Sequence, residues 1–390
     1  MKVNQIYEIL NTIQGEILGK TGLVNEDLSN LVDLGTEIFN ANAKDNFVKA
    51  LVDKVGKQVF VNRLYSGRAP QVMMDSWEFG SVLEKVDCDL PDSVENESWD
   101  LIDGASYDVN VFYKPKVRAK YFNAKSTFEV HVSITEIQLK EAFNSAASMN
   151  TFIEMIYTKI YNRFTLDTDK LIMRLINTMS CQTVNNDLTY DSGLATQTGV
   201  KAVNLLKEYK DLTGTSLTID KALYDEAFLK YASFKIANTL SKMTNYSTLF
   251  NVGKTEKFTP KEFQKVVILD EFDKACNSYL KSTTYHNDLV SLGENYSTVS
   301  YWQGTGTSYA LSDCGKVDCT IKVDDTTSKQ ITIPVVLGVA FDKDAVAVCN
   351  QNRRTTSNYV AKSEFYNEYH KMDAHYIADL NENFVVFFMA

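Results

Sequence analysis

Six apolar side chains follow one another from Phe384 to Met389. Chain ends are commonly polar and frayed, so a run this apolar has to be packed, either into the core of its own subunit or against a neighbouring one. Elsewhere the period of the apolar positions changes along the chain. Near the start, Val3, Ile6, Leu10, Ile13 and Ile17 recur at intervals of three and four, the stripe of an amphipathic helix, which Gly15, Gly19 and Gly22 then loosen. A second stripe of Phe47, Leu51 and Val55 stops at Gly56, a residue suited to a helix C-terminus. From Lys57 to Ile134 the pattern becomes strand-like: "KQVFVNRL" and "DVNVFYKPKV" are rich in β-branched and aromatic residues, and "FEVHVSI" sets Phe128, Val130, Val132 and Ile134 on one face.

A long helical stripe comes next. Met149, Phe152, Ile153, Ile156, Ile160 and Phe164 share a face that Leu171, Leu175 and Met179 resume, with Ser148 or Asn150 as N-cap. Unbroken from Asn150 to Ser180, such a helix would be roughly 45 Å long; Asp167 and Thr168 offer the alternative of a restart as a second helix. The remaining half is mixed. "KAVNLLKEYKDL" and "YDEAFLKYASFKIANTL" read as helices and "KVVILD" as a buried strand. His286 to Asp325, rich in Ser, Thr, Gly and Tyr, reads as loops and edge strands, and "ITIPVVLGVAFDKDAVAVC" as strands turning at Asp342 to Asp344. There is no internal repeat, heptad array or proline-rich linker, so the domains are expected to interleave.

Composition narrows the classes. A chain of 390 residues, 44% hydrophobic and 23% charged, is globular and large enough for more than one core. "MKVNQIYEIL" has no signal-peptide pattern and no window reaches the roughly 18 uninterrupted apolar residues of a membrane span, so neither secretion nor a membrane partner is expected. Six cysteines without a leader suit free thiols in a reducing cytosol. A formal charge of −10 opposes coating of DNA. The charge is unevenly placed. Glu84 to Asp108 holds nine acidic residues against the single Lys85, whereas Lys114 to Lys125 holds five basic residues and no acid. These two arms either face water, where exposed charges contribute little, or present complementary faces to other subunits.

Candidate chemistry is sparse. A phosphate-binding loop needs glycine, four residues, then Gly-Lys-Ser/Thr; "GEILGKTG" has only three residues between Gly15 and Gly19, and "VGKT" at Val252 to Thr255 has Thr248 where the first glycine belongs. Cys314 and Cys319 lack the second ligand pair a zinc tetrahedron requires, and His370 and His375 do not have the spacing of a helical zinc motif. Cys276 near His286 imitates a nucleophile and base without a nucleophile-elbow signature. No catalytic, metal-binding or cofactor-binding residue is therefore assigned, and no cofactor is expected.

The order of segments resembles the HK-97-like major capsid fold of tailed bacteriophages, and most the small short-tailed podovirus, phi-29-like, branch. "DNFVKALVDKVGKQVFVNRL" is similar to that branch's approach to its extended loop, and "HVSITEIQLKEAFNSAASMNTFIEMIYTKIYNRF" to its strand, short helix and spine helix. "VVLGVAFDKDAVAV" resembles its late strand, turn and strand, and "EFYNEYHKMDAHYIADLNENFVVF" its closing segment. These blocks cover about a third of the chain. Two departures stand out: Asp373 and Ala374 occupy positions where relatives often carry tryptophan, and an appended immunoglobulin-like domain, found in some relatives, is not expected.

The resemblance implies an α+β fold made of an N-terminal arm (1–56), an extended β-hairpin loop (57–127), a peripheral domain with a long spine helix (128–189), an axial domain (190–350) and a return to the peripheral domain (351–390) ending in a buried strand beside that helix. It implies a non-enzymatic major capsid protein that assembles with itself as hexamers and pentamers into an icosahedral head around double-stranded DNA. A scaffolding protein would take part in assembly, a portal protein would occupy one vertex, and the packaged DNA would make weak non-specific contacts. The protein would be assembled in the host bacterial cytoplasm and reside in the virion. Intersubunit contact candidates on the extended loop are Arg68, Pro70, Trp77, Trp99, Lys114, Lys116 and Arg118. Alternatives are an encapsulin-like nanocompartment shell, which shares the fold but packages protein cargo, and a cytosolic α/β enzyme using Cys276.

Overall fold

The structure, a computed structural model, describes residues 62–67, 69–70, 72–74, 82–93, 95, 102–105, 110–135, 146–283, 296–303, 314–323, 326–363 and 365–390. Both N-terminal helical stripes, "GEILGKTG" and His286 lie outside these residues. The chain divides into two units that it visits in turn: one holds 1–65, 130–162 and 355–370, the other 66–129, 163–354 and 371–390.

The expected long helix is present. Helix α1, Ala146–Asp187, runs 42 residues, ~63 Å at the α-helical rise, and Ile160, Phe164, Leu171, Leu175 and Met179 are buried along it. It does not restart at Asp167 and Thr168. Such residues interrupt helices when their side chains bond to nearby backbone, but here both are engaged elsewhere. Asp167 accepts from Arg163 one turn back at 3.0 Å, and the buried Thr168 hydroxyl accepts from Asn350 Nδ2 at 3.2 Å.

In the smaller unit the strand half 130–135 shows the alternation read from the sequence, with Val130, Val132 and Ile134 half-buried and His131 and Ser133 exposed, and 365–370 forms a second strand half. The helix is tied in by Asn162, which accepts from Tyr65 N at 2.8 Å and donates to Arg63 O at 2.7 Å. These strands belong to β3, Lys125–Thr135, and β11, Phe365–Ala378. With β10, Val346–Val360, they form a three-stranded sheet in the order β10-β11-β3. His370 and His375 therefore lie on a strand and not a helix, and an odd separation puts them on opposite faces.

In the larger unit, α1 ends at Asp187, whose carboxylate accepts from Lys201 N at 2.7 Å and Ala202 N at 2.9 Å. A Cβ on Gly199 would lie 2.0 Å from the same oxygen. Gly199→Ala is expected to break this junction and cost about 2 kcal/mol, the scale of a part-buried carboxylate losing its donors, read as a lower urea midpoint.

"KAVNLLKEYKDL" is not all helix. Its first residues form β4, Ala202–Asn204, and Asn204 then caps α2, Leu205–Thr213, accepting from Lys207 N at 3.1 Å. The cap resets the chain from extended to helical, so the apolar spacing spans two elements. After a short helix α3, Ile219–Ala222, the segment "YDEAFLKYASFKIANTL" forms α4, Glu226–Met243, as expected. "KVVILD" falls in β5, Gln264–Leu269, and leads directly into α5, Asp270–Thr283. Then come β6, Tyr296–Val299, the hairpin β7, Val317–Lys322, with β8, Ser328–Ile333, and β9, Val335–Asp342, which starts after Pro334.

The last strand, β12, Phe384–Met389, is buried at every position, which answers the question its composition raises. Its location differs from expectation. β12 lies in a five-stranded sheet of order β4-β12-β9-β5-β6, parallel to β4 and antiparallel to β9. Those neighbours come from 190–350, the region assigned to the axial domain, whereas the strands beside it in sequence, β10 and β11, form the other sheet. A continuous apolar run signals burial on both faces; it does not encode which strands flank it. Leading into β12, buried Asn383 donates to Thr259 Oγ1 at 3.1 Å, accepts from Asn251 Nδ2 at 3.4 Å and offers its carbonyl to Asp342 N at 3.0 Å.

Candidate functional site, a charged hairpin and its anchor

The charged arms fold on each other. β1, Leu83–Cys88, pairs antiparallel with β2, Val117–Phe122, opposing Asp87 to Arg118 and Glu84 to Tyr121. "DVNVFYKPKV" is strand only from Val117. Residues 110–116 lie outside the strand, Phe112 and Tyr113 are 84% and 82% exposed, and Pro115 has no N–H to donate. Val111, Leu90 and Ile102 on the same connection are exposed as well.

The register creates an electrostatic problem and the fold resolves it. Lys85 sits directly opposite Lys120, a like-charge pair that would weaken the hairpin. Both ammonium groups converge on Asp379, Lys85 at 3.0 Å and Lys120 at 2.8 Å, and Lys85 also reaches Glu382 at 2.6 Å. Lys257 adds a third cation, 2.7 Å from Asp87 and 3.3 Å from Glu382. Burial opposes charge on Lys85, yet hydrogen bonds and fields from Glu382 and Asp379 outweigh it and hold the ammonium above its ordinary value of 10.5. Lys257 is raised in the same sense against its own burial by Asp87 and Glu382. Burial of Asp379 is likewise outweighed, by Lys120, the Asn381 N–H and Lys85, so its carboxyl lies below 3.8; Asp87 is lowered, against its burial, chiefly by Lys257. The group is an anchor that fixes the hairpin to the turn before β12.

Of the sequence-derived contact candidates, Lys114 and Lys116 are exposed beside the apolar connection. Arg118 is engaged within the hairpin, paired with Asp89. Pro70 is buried and lines a cleft of about 310 Å³ with Thr165, Asp169 and Asn350. Arg68, Trp77 and Trp99 lie outside the described residues. Sequence reasoning missed Asp379, Glu382 and Lys257, because no signal local to the two charged arms points to them.

The catalytic near-misses have ordinary geometry. The amides of Val252 and Gly253 in "VGKT" both donate to Leu380 O, at 3.1 and 3.0 Å, so they are not turned to a phosphate. Cys276 is buried against Ser233, and its thiol, pushed up by burial to about 11, stays protonated at neutral pH.

A family model for the Phi29-like phage major capsid protein matches residues 9–388. The chain belongs to that family. The solved capsid structure of Staphylococcus phage Andhra matches with a TM-score of 0.58 at 8% identity, covering 86% of this chain and 87% of that one. A structure described as the head fiber and inner core protein gp22 of native bacteriophage P68 matches with a TM-score of 0.55 at 8% identity and the same coverage. These likenesses show the fold, the HK97-like α+β arrangement expected from the order of segments. No curated protein matches the sequence. Membership in a phage major capsid family gives the protein a structural role in the virion and decides between the capsid reading and its two alternatives.

Proposed function

We propose that this capsid protein assembles with copies of itself, as hexamers and pentamers, into the closed icosahedral head that encloses the double-stranded DNA of a tailed phage, without catalysing a reaction. The observation that carries the reading to residues is the anchored hairpin. Its connection exposes Leu90, Ile102, Val111, Phe112 and Tyr113 to solvent, with the exposed Lys114 and Lys116 next to Tyr113 in sequence, apolar side chains flanked by charge, a combination that suits a protein interface. Its occupant is a neighbouring copy of the chain. Residues 1–56 act as an arm reaching a neighbour, 57–127 as the extended loop, 128–189 with most of 351–378 as the peripheral domain, and 190–350 with 384–389 as the axial domain. Arg68, Trp77 and Trp99 remain contact candidates on that loop.

Assembly takes place in the host bacterial cytoplasm with a separate scaffolding protein, a portal protein fills one vertex, and the negative chain charge lets packaged DNA spool with weak contacts. Negative-stain electron microscopy of the purified chain, with and without a co-expressed scaffold, tests this reading. Closed shells or tubes of hexamers support it, and particles of one to four subunits under every condition overturn it. Reversing Lys114 and Lys116 to Glu is expected to reduce shell yield several-fold while leaving the folded subunit's circular dichroism and melting unchanged. Each exposed ion pair contributes well under about 1 kcal/mol, and the loss is multiplied by repetition over the shell.

A further inference from the structure

Cysteines 181 and 319 are brought together by the fold. Cys181 lies on α1, fully buried, with Sγ 3.8 Å from Ile331 O. Ile331 is the register partner of Cys319 across the β7–β8 hairpin, and directly opposed residues on an antiparallel pair project to the same face. That face, which carries Val317, Ile321, Ile331 and Ile333, is buried in the main core, and Cys319 packs against the same core. We propose that Cys181 and Cys319 are an oxidation site, a dithiol that peroxide converts into a disulfide joining α1 to the β7–β8 hairpin.

All six cysteines are free thiols in this structure, so the site is in its reduced form. The interaction with Cys181 lowers the pKa of the Cys319 thiol, while the same interaction and burial raise that of Cys181. The half-buried Cys319 is thus the attacking sulfur. Its thiolate attacks hydrogen peroxide, forming an S–O bond as the O–O bond breaks; the departing hydroxide takes up the proton the thiol released and leaves as water. The Cys181 sulfur then displaces hydroxide from the Cys319 sulfenic acid, and its own proton leaves with that hydroxide as a second water. Two thiols are oxidised and one peroxide is reduced. The cross-link closes a very long loop, the case in which restricting the unfolded chain stabilises most.

The test uses the full-length chain carrying Cys88→Ser, which removes the exposed thiol, treated with hydrogen peroxide. The expected result is loss of two titratable thiols and 2 Da, a linked peptide pair containing residues 181 and 319, and a higher urea midpoint that reverts with reductant. In Cys181→Ser the sulfenic acid should persist at Cys319 and be trapped by dimedone; in Cys319→Ser neither product should form. Oxidation that leaves both residues as thiols, that stops at sulfinic acid on Cys319 in the parent chain, or that links other cysteines overturns the proposal.

Discussion

Deleting residues 384–390 is expected to leave neither soluble monomer nor closed shells. The deletion removes β12 from between β4 and β9, so two strands lose their hydrogen-bonding partner in the interior. It also removes six side chains that are essentially unexposed, including Phe384, whose ring stacks on Phe341 at 5.5 Å. At about 2 kcal/mol for each buried large side chain, the loss is on the order of 10 kcal/mol, comparable to the whole stability of a typical domain. Size-exclusion chromatography and electron microscopy of the truncated chain beside the full-length one would check this, and normal shells from the truncation would refute it. Phe387→Ala should act in the same direction but less severely, by about 3–5 kcal/mol.

Asp379→Ala has the next largest expected effect. Asp379 is 3% exposed and serves two lysines that oppose each other across the hairpin. Its removal leaves their charges uncompensated and releases the hairpin from the turn before β12. Breaking a buried pair costs about 3–5 kcal/mol; Lys120 is 44% exposed, so water offsets part of this and about 2–3 kcal/mol is expected. Limited proteolysis should show faster cleavage within 89–116 and shell yield should fall, whereas unchanged proteolysis would mean that the hairpin is held by other contacts. Asp379→Asn, which keeps the shape and one of the two accepting oxygens but not the charge, should be intermediate.

The same anchor sets a pH window. Asp379 and Asp87 have carboxyls lowered from 3.8, so their contribution is complete above the unfolded value and is lost as pH falls through the lowered ones. Lys85 and Lys257, raised from 10.5, contribute fully below that value and lose their contribution as pH rises through the raised ones. Buried Asp342, raised from 3.8 by its burial, acts in the opposite sense to the two lowered carboxyls and blunts the acid limb. In the Asp379→Ala chain the acid limb should become shallower, measurable as urea midpoints across the acid range.

What the sequence revealed and what it hid follow one physical division. Patterns local to a segment were legible: the α1 stripe, the alternation of Phe128 to Ile134, and the burial of Phe384 to Met389 each rest on spacing alone. The exposed Phe112 and Tyr113 misled because strand propensity measures fit to a half-buried pleated surface, and apolar side chains on a loop carry the same signature. Contacts between distant segments were hidden. Nothing near Lys85 announces that its carboxylates lie almost three hundred residues away, and nothing in the spacing of Cys314 and Cys319 indicates Cys181 as a thiol partner. Which strands flank β12 was hidden for the same reason.

The segment from Asp379 to Met389 serves both the anchor and the five-stranded sheet, and it is translated after every strand and lysine that it engages. A nascent chain therefore carries a hairpin with opposed, unneutralised lysines and a sheet with an open slot until that segment leaves the ribosome. A chain that stalls or ends early therefore lacks both the piece that holds the hairpin in place and the strand that completes the sheet, so finished and unfinished subunits differ in fold and not only in length.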